Sequence, residues 1–136
     1  MKPRMWSAHL QAAEAYARLS YATRLKVGCL IVLPDDSMFL GYNGTPPDWD
    51  NVCETAENVT KPEVVHAEQN ALDKMLRAGR SSVGATVFIT HAPCLECAKR
   101  LHGARVSAVY WKDVYRSTDG LLFLEKAGIP TFQLKD

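Results

Sequence analysis

His66-Ala67-Glu68 and, further along, Pro93-Cys94-Leu95-Glu96-Cys97 constrain this 136-residue chain more than any other feature. One imidazole and two thiols are ligand types suited to zinc, and a metal held by all three forces two separate segments to meet at one point. Three protein ligands leave a tetrahedral zinc one open position, as in catalytic rather than closed structural sites. Glu68, two residues past His66, is poorly placed to share the metal but can sit beside a water held there. Zinc brings the pKa of its water from about 15.7 toward about 7, so an adjacent carboxylate can relay protons at neutral pH.

The length suits a single domain spanning residues 1–136 with a real core. Hydrophobic residues at 47% and charged residues at 23% are ordinary for a soluble globular protein. A net charge of +1 argues against a broad nucleic-acid footprint and so against a stable nucleic-acid partner. The apolar run Val27–Leu33, interrupted by Gly28, is far short of the ~20 residues of a membrane span. Basic residues in Met1–Trp6 are not followed by an apolar stretch, so no signal peptide is predicted. Four cysteines, two of them in a Cys-x-x-Cys pair, then read as metal chemistry in a cytoplasmic protein rather than as disulfides.

Periodicity supplies the elements. Residues 5–20 place Leu10, Ala13, Ala17 and Tyr21 on one side of a first helix. Val27–Leu33 and Met38–Tyr42 flank the turn formers Pro34-Asp35-Asp36-Ser37 and predict a hairpin. Residues 43–63 hold no clear period, and a loop of that length inside a compact domain is more often functional than idle. A helix follows over Val65–Ala78, with Ala67, Ala71, Leu72, Met75 and Leu76 apolar and Gly79 at its C-cap. Then come a central strand at 85–90, a helix from Cys94 to His102 ending near Gly103, a strand at 106–111, a helix at 119–127 and a last strand at 129–134. Alternating strands and helices point to a layered α/β domain with a mixed sheet.

On that map His66 opens one helix, and Cys94 and Cys97 open the next. Helix starts carry unpaired N–H groups and partial positive charge, which favours thiolates and anionic species. Each half of the pattern has a plainer reading alone: Cys-x-x-Cys as structural zinc or buried thiols, His-x-Glu as capping and surface charge. A structural site would need a fourth protein ligand, and His91 and Cys53 are the nearby candidates. Joined in this order with Pro93 in place, the pattern is that of hydrolytic nucleobase deamination, with Glu68 as the proton shuttle.

Beyond this pattern the chain resembles the cytidine and deoxycytidylate deaminase superfamily, and within it the dCMP deaminases. The resemblance covers nearly the whole chain. It rests on Lys26-Val27-Gly28, on Gly41-Tyr42-Asn43-Gly44-Thr45-Pro46, on the segments Lys61–Glu68 and Pro93–Lys99, and on Tyr115. It implies a three-layer α/β/α sandwich with a mixed five-stranded central sheet, zinc on His66, Cys94 and Cys97, and Glu68 as catalytic residue. It also implies conversion of dCMP to dUMP and ammonia, with Asn43 near the sugar and Ala67 and Tyr115 against the nucleotide. Many members are homohexamers activated by dCTP and inhibited by dTTP, with magnesium on the triphosphate. Gly41, Tyr42, Asn43 and Gly44 correspond to part of their regulatory site.

Some positions depart from the family pattern. Cys29 stands where alanine is usual, and His91 where an apolar residue is usual, either lining the pocket or capping the strand. Leu101–Val106 is looser than the usual Ile-Ile-x-x-Gly-Ile. Cys53 is alone in its loop, so one zinc is expected rather than two. Lys26, Arg24 and Arg116 are candidates for the 5′-phosphate by charge and position. A tRNA adenosine deaminase shares the motif but calls for a basic surface. A free-cytidine deaminase typically has cysteine where His66 stands. A zinc-stabilised binding module without catalysis is the rival of another class.

Overall fold

The computed structural model describes residues 1–114 and 116–135. Short apolar runs become β1 (Gly28–Val32), β2 (Met38–Tyr42), β3 (Thr86–His91), β4 (Ala108–Asp113) and β5 (Thr131–Gln133). They form one sheet in the order β2-β1-β3-β4-β5. β1 runs antiparallel to β2 and β3, while β3, β4 and β5 run parallel. This is the mixed five-stranded sheet expected. β1 and β3 are interior strands covered by helices on both faces, which is why they read as nearly unbroken apolar runs.

Strand alternation divides the core in two. Leu30, Val32, Phe88 and Tyr110 point to one face, where Ala13 of α1 (Pro3–Ala17) packs on them. Phe88 and Tyr110 stack with centroids 4.9 Å apart, worth about 0.5–1.5 kcal/mol beyond their burial. Cys29, Ile31, Val87, Ile89 and Val109 point to the other face. There they meet Ala67, Ala71 and Met75 of α2 (Ala67–Arg77), Ala98 and Leu101 of α3 (Leu95–Gly103), and Leu124 of α4 (Asp119–Lys126). Among the described residues, one helix on one side and three on the other complete the α/β/α sandwich. No helix among the described residues is long and apolar enough to cross a membrane.

The differences from expectation have local causes. α1 stops at Ala17, where Leu19 and Ser20 bond back to the Tyr16 and Ala17 carbonyls and turn the chain. The helical period therefore ends before Tyr21, which is 65% exposed instead of in the core. In α2 the buried stripe is the row Ala67, Ala71, Met75, and Leu76, one step further round the helix, is 79% exposed. α3 ends at Gly103 as expected, and Arg105, two residues on, sits in the left-handed region at φ 61° with its N–H bonded to the His102 carbonyl. β4 begins at Ala108, two residues later than expected, because Ser107 N–H and hydroxyl are tied to the Ala85 carbonyl. β5 is shorter than residues 129–134, starting at Thr131 just after Pro130. The long loop is ordered by bridges between Gly44 and Val65 and between Glu54 and Thr60.

Candidate active site

Two helix starts are brought together against the same face of the sheet. His66 is the N-cap of α2 with extended backbone, and Cys94 is the N-cap of α3, its sulfur accepting the Cys97 N–H at 3.5 Å. Both placements follow from close backbone contacts. A Cβ on Gly41 would lie 2.4 Å from the Ala67 carbonyl oxygen and 2.6 Å from the Ala71 nitrogen, so glycine lets the first turn of α2 lie on β2. Asn70 then donates to the Tyr42 carbonyl at 2.8 Å, and Lys74 donates to the Leu40 carbonyl, fixing α2 along the edge strand. At Gly120 a Cβ would lie 2.0 Å from the Pro93 carbonyl oxygen, so the start of α4 presses on the turn that leads into Cys94.

The result is a convergence of metal-type ligands. His66 Nδ1 lies 3.3 Å from Cys97 Sγ and 3.6 Å from Cys94 Sγ, and the three ligand atoms lie within 4.8 Å of one another. Zn–N near 2.05 Å and Zn–S near 2.3 Å at tetrahedral angles require N···S of about 3.6 Å. The residues fit zinc. Cys53 is buried and does not belong to the group.

The two thiols and the imidazole are linked by hydrogen bonds. The Cys97 thiol donates to Cys94, which with the His66 hydrogen bond pulls the Cys94 thiol down to about 3. The same Cys94 hydrogen bond, then burial, pushes Cys97 up. His66 is raised by its bond to Cys94 against the opposing effect of burial. A metal displaces such protons on binding, so its affinity depends on pH. Glu68, in the first turn of α2, is 3% exposed. Burial pushes its carboxyl up to about 7, opposed by its own backbone N–H and by His66. A carboxyl poised near neutrality is suited to taking and giving a proton.

His66, Cys94 and Glu68 line a cavity of about 350 Å³, together with Asn43, His91 and Arg24 among others. Ala67 also lines it, with a first-turn backbone N–H for which the helix offers no partner. Arg116 lines the cavity beside Ser117, whereas Lys26 does not. Tyr115 lies outside the described residues. Asn43 reaches the cavity, but its amide is already at work: it accepts the Val27 N–H and donates to the Leu25 carbonyl, both at 2.8 Å. Its own carbonyl accepts the Ser20 hydroxyl at 2.8 Å. Asn43 thus holds the 20–27 segment in place as well as lining the cavity.

Glu54 was not singled out in the sequence. Its carboxylate accepts the N–H groups of Thr23 and Arg24 at 3.0 and 3.2 Å, joining the long loop to the 20–25 segment. Burial pushes Glu54 up, but these hydrogen bonds outweigh it and hold the carboxyl below its ordinary value. Only the density of turn formers on either side of Glu54 hinted that the loop closes on itself. A second cavity, about 260 Å³, is lined by Tyr42, Asn43, Gly44, Trp49, Lys74 and Arg77 among others. Gly41 is accounted for by its contact with α2.

A family model for the cytidine and deoxycytidylate deaminase zinc-binding region matches residues 4–112. The chain belongs to this family. The deoxycytidylate deaminase of Saccharomyces cerevisiae is 32% identical over 98% of this chain and 46% of its own length. ComE operon protein 2 of Bacillus subtilis is 29% identical over 96% of the chain and 71% of its own. The chain spans less than half the length of the two yeast deoxycytidylate deaminases, 46% and 43%. Among solved structures, the dCMP deaminase from the cyanophage S-TIM5 in complex with dCMP and dUMP superposes with a TM-score of 0.94. It is 39% identical, over 98% of this chain and 99% of that one. The family is a zinc-binding one, and the His66, Cys94 and Cys97 group agrees with zinc as the cofactor.

Proposed function

We propose that this chain hydrolyses dCMP to dUMP and ammonia, in the cytoplasm, as a supplier of the thymidylate pathway. The observation that carries the reading is the convergence of His66, Cys94 and Cys97 with buried Glu68 on one cavity. Its support is a chain that matches, almost end to end, an enzyme solved with dCMP and dUMP.

Zinc held by His66, Cys94 and Cys97 supplies Lewis-acid activation of a water at neutral pH. Glu68 takes a proton from the attacking water and delivers it to the pyrimidine nitrogen beside C4. It then takes the remaining proton from the new C4 hydroxyl and passes it to the amino group, so that the C4 carbonyl forms, the C4–N bond breaks and ammonia leaves. The Ala67 N–H is aimed at the substrate from the positive end of α2. Asn43 shapes the sugar subsite by bracing residues 20–27. Arg24 and Arg116 contribute positive charge for the 5′-phosphate, and Tyr115 contacts the nucleotide.

A panel of cytidine, dCMP, dCTP and a tRNA hairpin, followed by ultraviolet absorbance and ammonia release, tests the substrate. dCMP is expected to be the best of them with one zinc per chain by elemental analysis, and any other ranking refutes the assignment. The regulatory reading is activation by dCTP and inhibition by dTTP, each with magnesium, in a homohexamer. It draws support from the second cavity, where Lys74 and Arg77 stand beside Tyr42, Asn43 and Gly44. dCMP turnover that is flat in both effectors would remove it, and light scattering would report the assembly.

A further inference from the structure

His91, the last residue of β3, is a polar side chain of the main cavity to which the mechanism gives no task. It is half-buried. Its Nδ1 lies 2.9 Å from Thr90 Oγ1, and that oxygen accepts the Gly28 N–H at 3.1 Å. Thr90 is buried, so its hydroxyl proton has no bulk water to turn to, and His91 Nδ1 is the acceptor in reach. The hydroxyl donates to Nδ1, which puts the ring's own proton on Nε2. Burial keeps the imidazole neutral by pushing its pKa down, against the pull of Asp113 and with the help of Lys112. Nε2 has no hydrogen-bond partner among the described residues, and it is not sealed from the cavity or solvent.

We propose that His91 is a specificity-determining residue whose Nε2–H donates a hydrogen bond to the pyrimidine ring of the substrate. The ring has to bring C4 to Glu68 and the three metal-type side chains, and His91 stands just before the Pro93-Cys94 turn at that end of the cavity. The walls nearby are largely apolar, with Ile89, Val64, Ala67 and Ala92. A donor left unmatched among apolar walls would cost its desolvation when substrate expels water. Cytosine carries acceptors along its edge, and a ring lacking one where the donor points would be rejected. Thr90 is then a positioning residue, setting the tautomer through which His91 acts. The inference rests on the reading of this site as that of a dCMP deaminase.

The test compares zinc-loaded wild type, His91→Phe and His91→Gln on dCMP and on deoxycytidine, with zinc measured on the same samples. Phe keeps a planar ring and removes the donor, and Gln restores a neutral donor. For His91→Phe, kcat/KM is expected to fall about tenfold on both substrates with zinc unchanged, and His91→Gln is expected to recover most of it. A loss confined to dCMP would place the contact on the phosphate and overturn the proposal. So would wild-type rates in His91→Phe, or equal damage in the two variants. Imidazole nitrogen NMR gives a readout without turnover: the Nε2–H tautomer is expected, with its resonance moving when dUMP is added. The Nδ1–H tautomer, or an unmoved resonance in a dUMP-bound sample, would overturn it. A wild type inert toward dCMP counts against the proposed activity instead, and the NMR arm still decides His91. It also decides should His91→Phe fail to fold.

Discussion

The inner and outer walls of the cavity are held by different forces. The inner wall consists of two helix starts, with His66 and Cys94 at N-cap positions and Glu68 and Cys97 in the following turns. Its geometry is set by backbone against backbone, at Gly41 under α2 and at Gly120 under the Pro93 carbonyl. The outer wall consists of the 20–27 segment and the long loop, joined by side chains that bond to backbone: Asn43, Ser20 and Glu54. A wall of packed backbone has no soft adjustment and suits chemistry that needs fixed distances. A wall of exchangeable hydrogen bonds can be retuned one residue at a time and suits the choice of substrate. Changes to the inner wall should therefore strike turnover and metal together, and changes to the outer wall should strike substrate affinity.

The largest effect is expected at Glu68. Glu68→Gln keeps the size and burial of the side chain but removes the proton relay, so dCMP turnover should fall by about a thousandfold. Zinc should stay at one per chain, because the carboxylate is not needed as a ligand. Near-wild-type activity would sink its role, and loss of zinc would break the distinction between ligands and relay.

Next come the glycines beneath the inner wall. An added methyl at Gly41 meets the Ala67 and Ala71 backbone, and at Gly120 it meets Pro93. Neither neighbour is a side-chain tip that can swing away. Gly41→Ala and Gly120→Ala should each lose about 1–3 kcal/mol in thermal or urea unfolding. Gly41→Ala should also bind zinc more weakly, since it displaces the turn after His66. Wild-type stability in both would mean that the helix starts are not clamped as described.

On the outer wall, Glu54→Gln weakens the acceptor for the Thr23 and Arg24 N–H groups. KM for dCMP should rise about three- to tenfold, with kcat and zinc content close to wild type. A fall in kcat without a change in KM would erase the contrast between the two walls.

The same contrast governs what could be read from the sequence. The inner wall was legible because its chemistry needs particular residue types at fixed spacing, and because helix and strand periods place 66–78 and 94–102 with little help from elsewhere. The sheet was legible for the same reason: β1 and β3 must be apolar on both faces. Tyr21 aligns by period with the apolar side of α1 but lies beyond its end, because a period says which residues align, not where the helix turns off. The outer wall was hardly legible. Asn43 was expected at the sugar, and its bonds to residues 25 and 27 depend on a pairing between segments that no local pattern announces. Glu54 looked like any surface carboxylate, and Thr90 like any strand threonine. Gly41 belongs to the turn that the resemblance assigns to a regulatory site, and its contact with the backbone of α2, which excludes a side chain there, has no local signature.

The smallest expected effect lies far from both walls and shows whether stability and site are separable. His9 on α1 is buried against Phe88, with ring centroids 5.0 Å apart and no hydrogen-bond partner for Nε2 among the described residues. Burial pushes its pKa below the ordinary value, with Asp36 opposing. The unfolded chain takes up a proton here near pH 6.5, about the value for a free histidine, while the folded chain resists it. Below that pH the unfolded state binds more protons, so stability must fall as pH drops; well above it both states are neutral and the group contributes nothing. The slope from one such proton is at most about 1.4 kcal/mol per pH unit. Melting temperature should therefore decline from about pH 6.5 downward, and His9→Leu should flatten that decline while leaving zinc content and dCMP turnover at neutral pH unchanged. α1 covers the sheet face opposite α2, α3 and α4. A His9 variant that altered zinc binding would show that the sheet transmits strain from one face to the other, and the two walls would then no longer be independent of the layer beneath them.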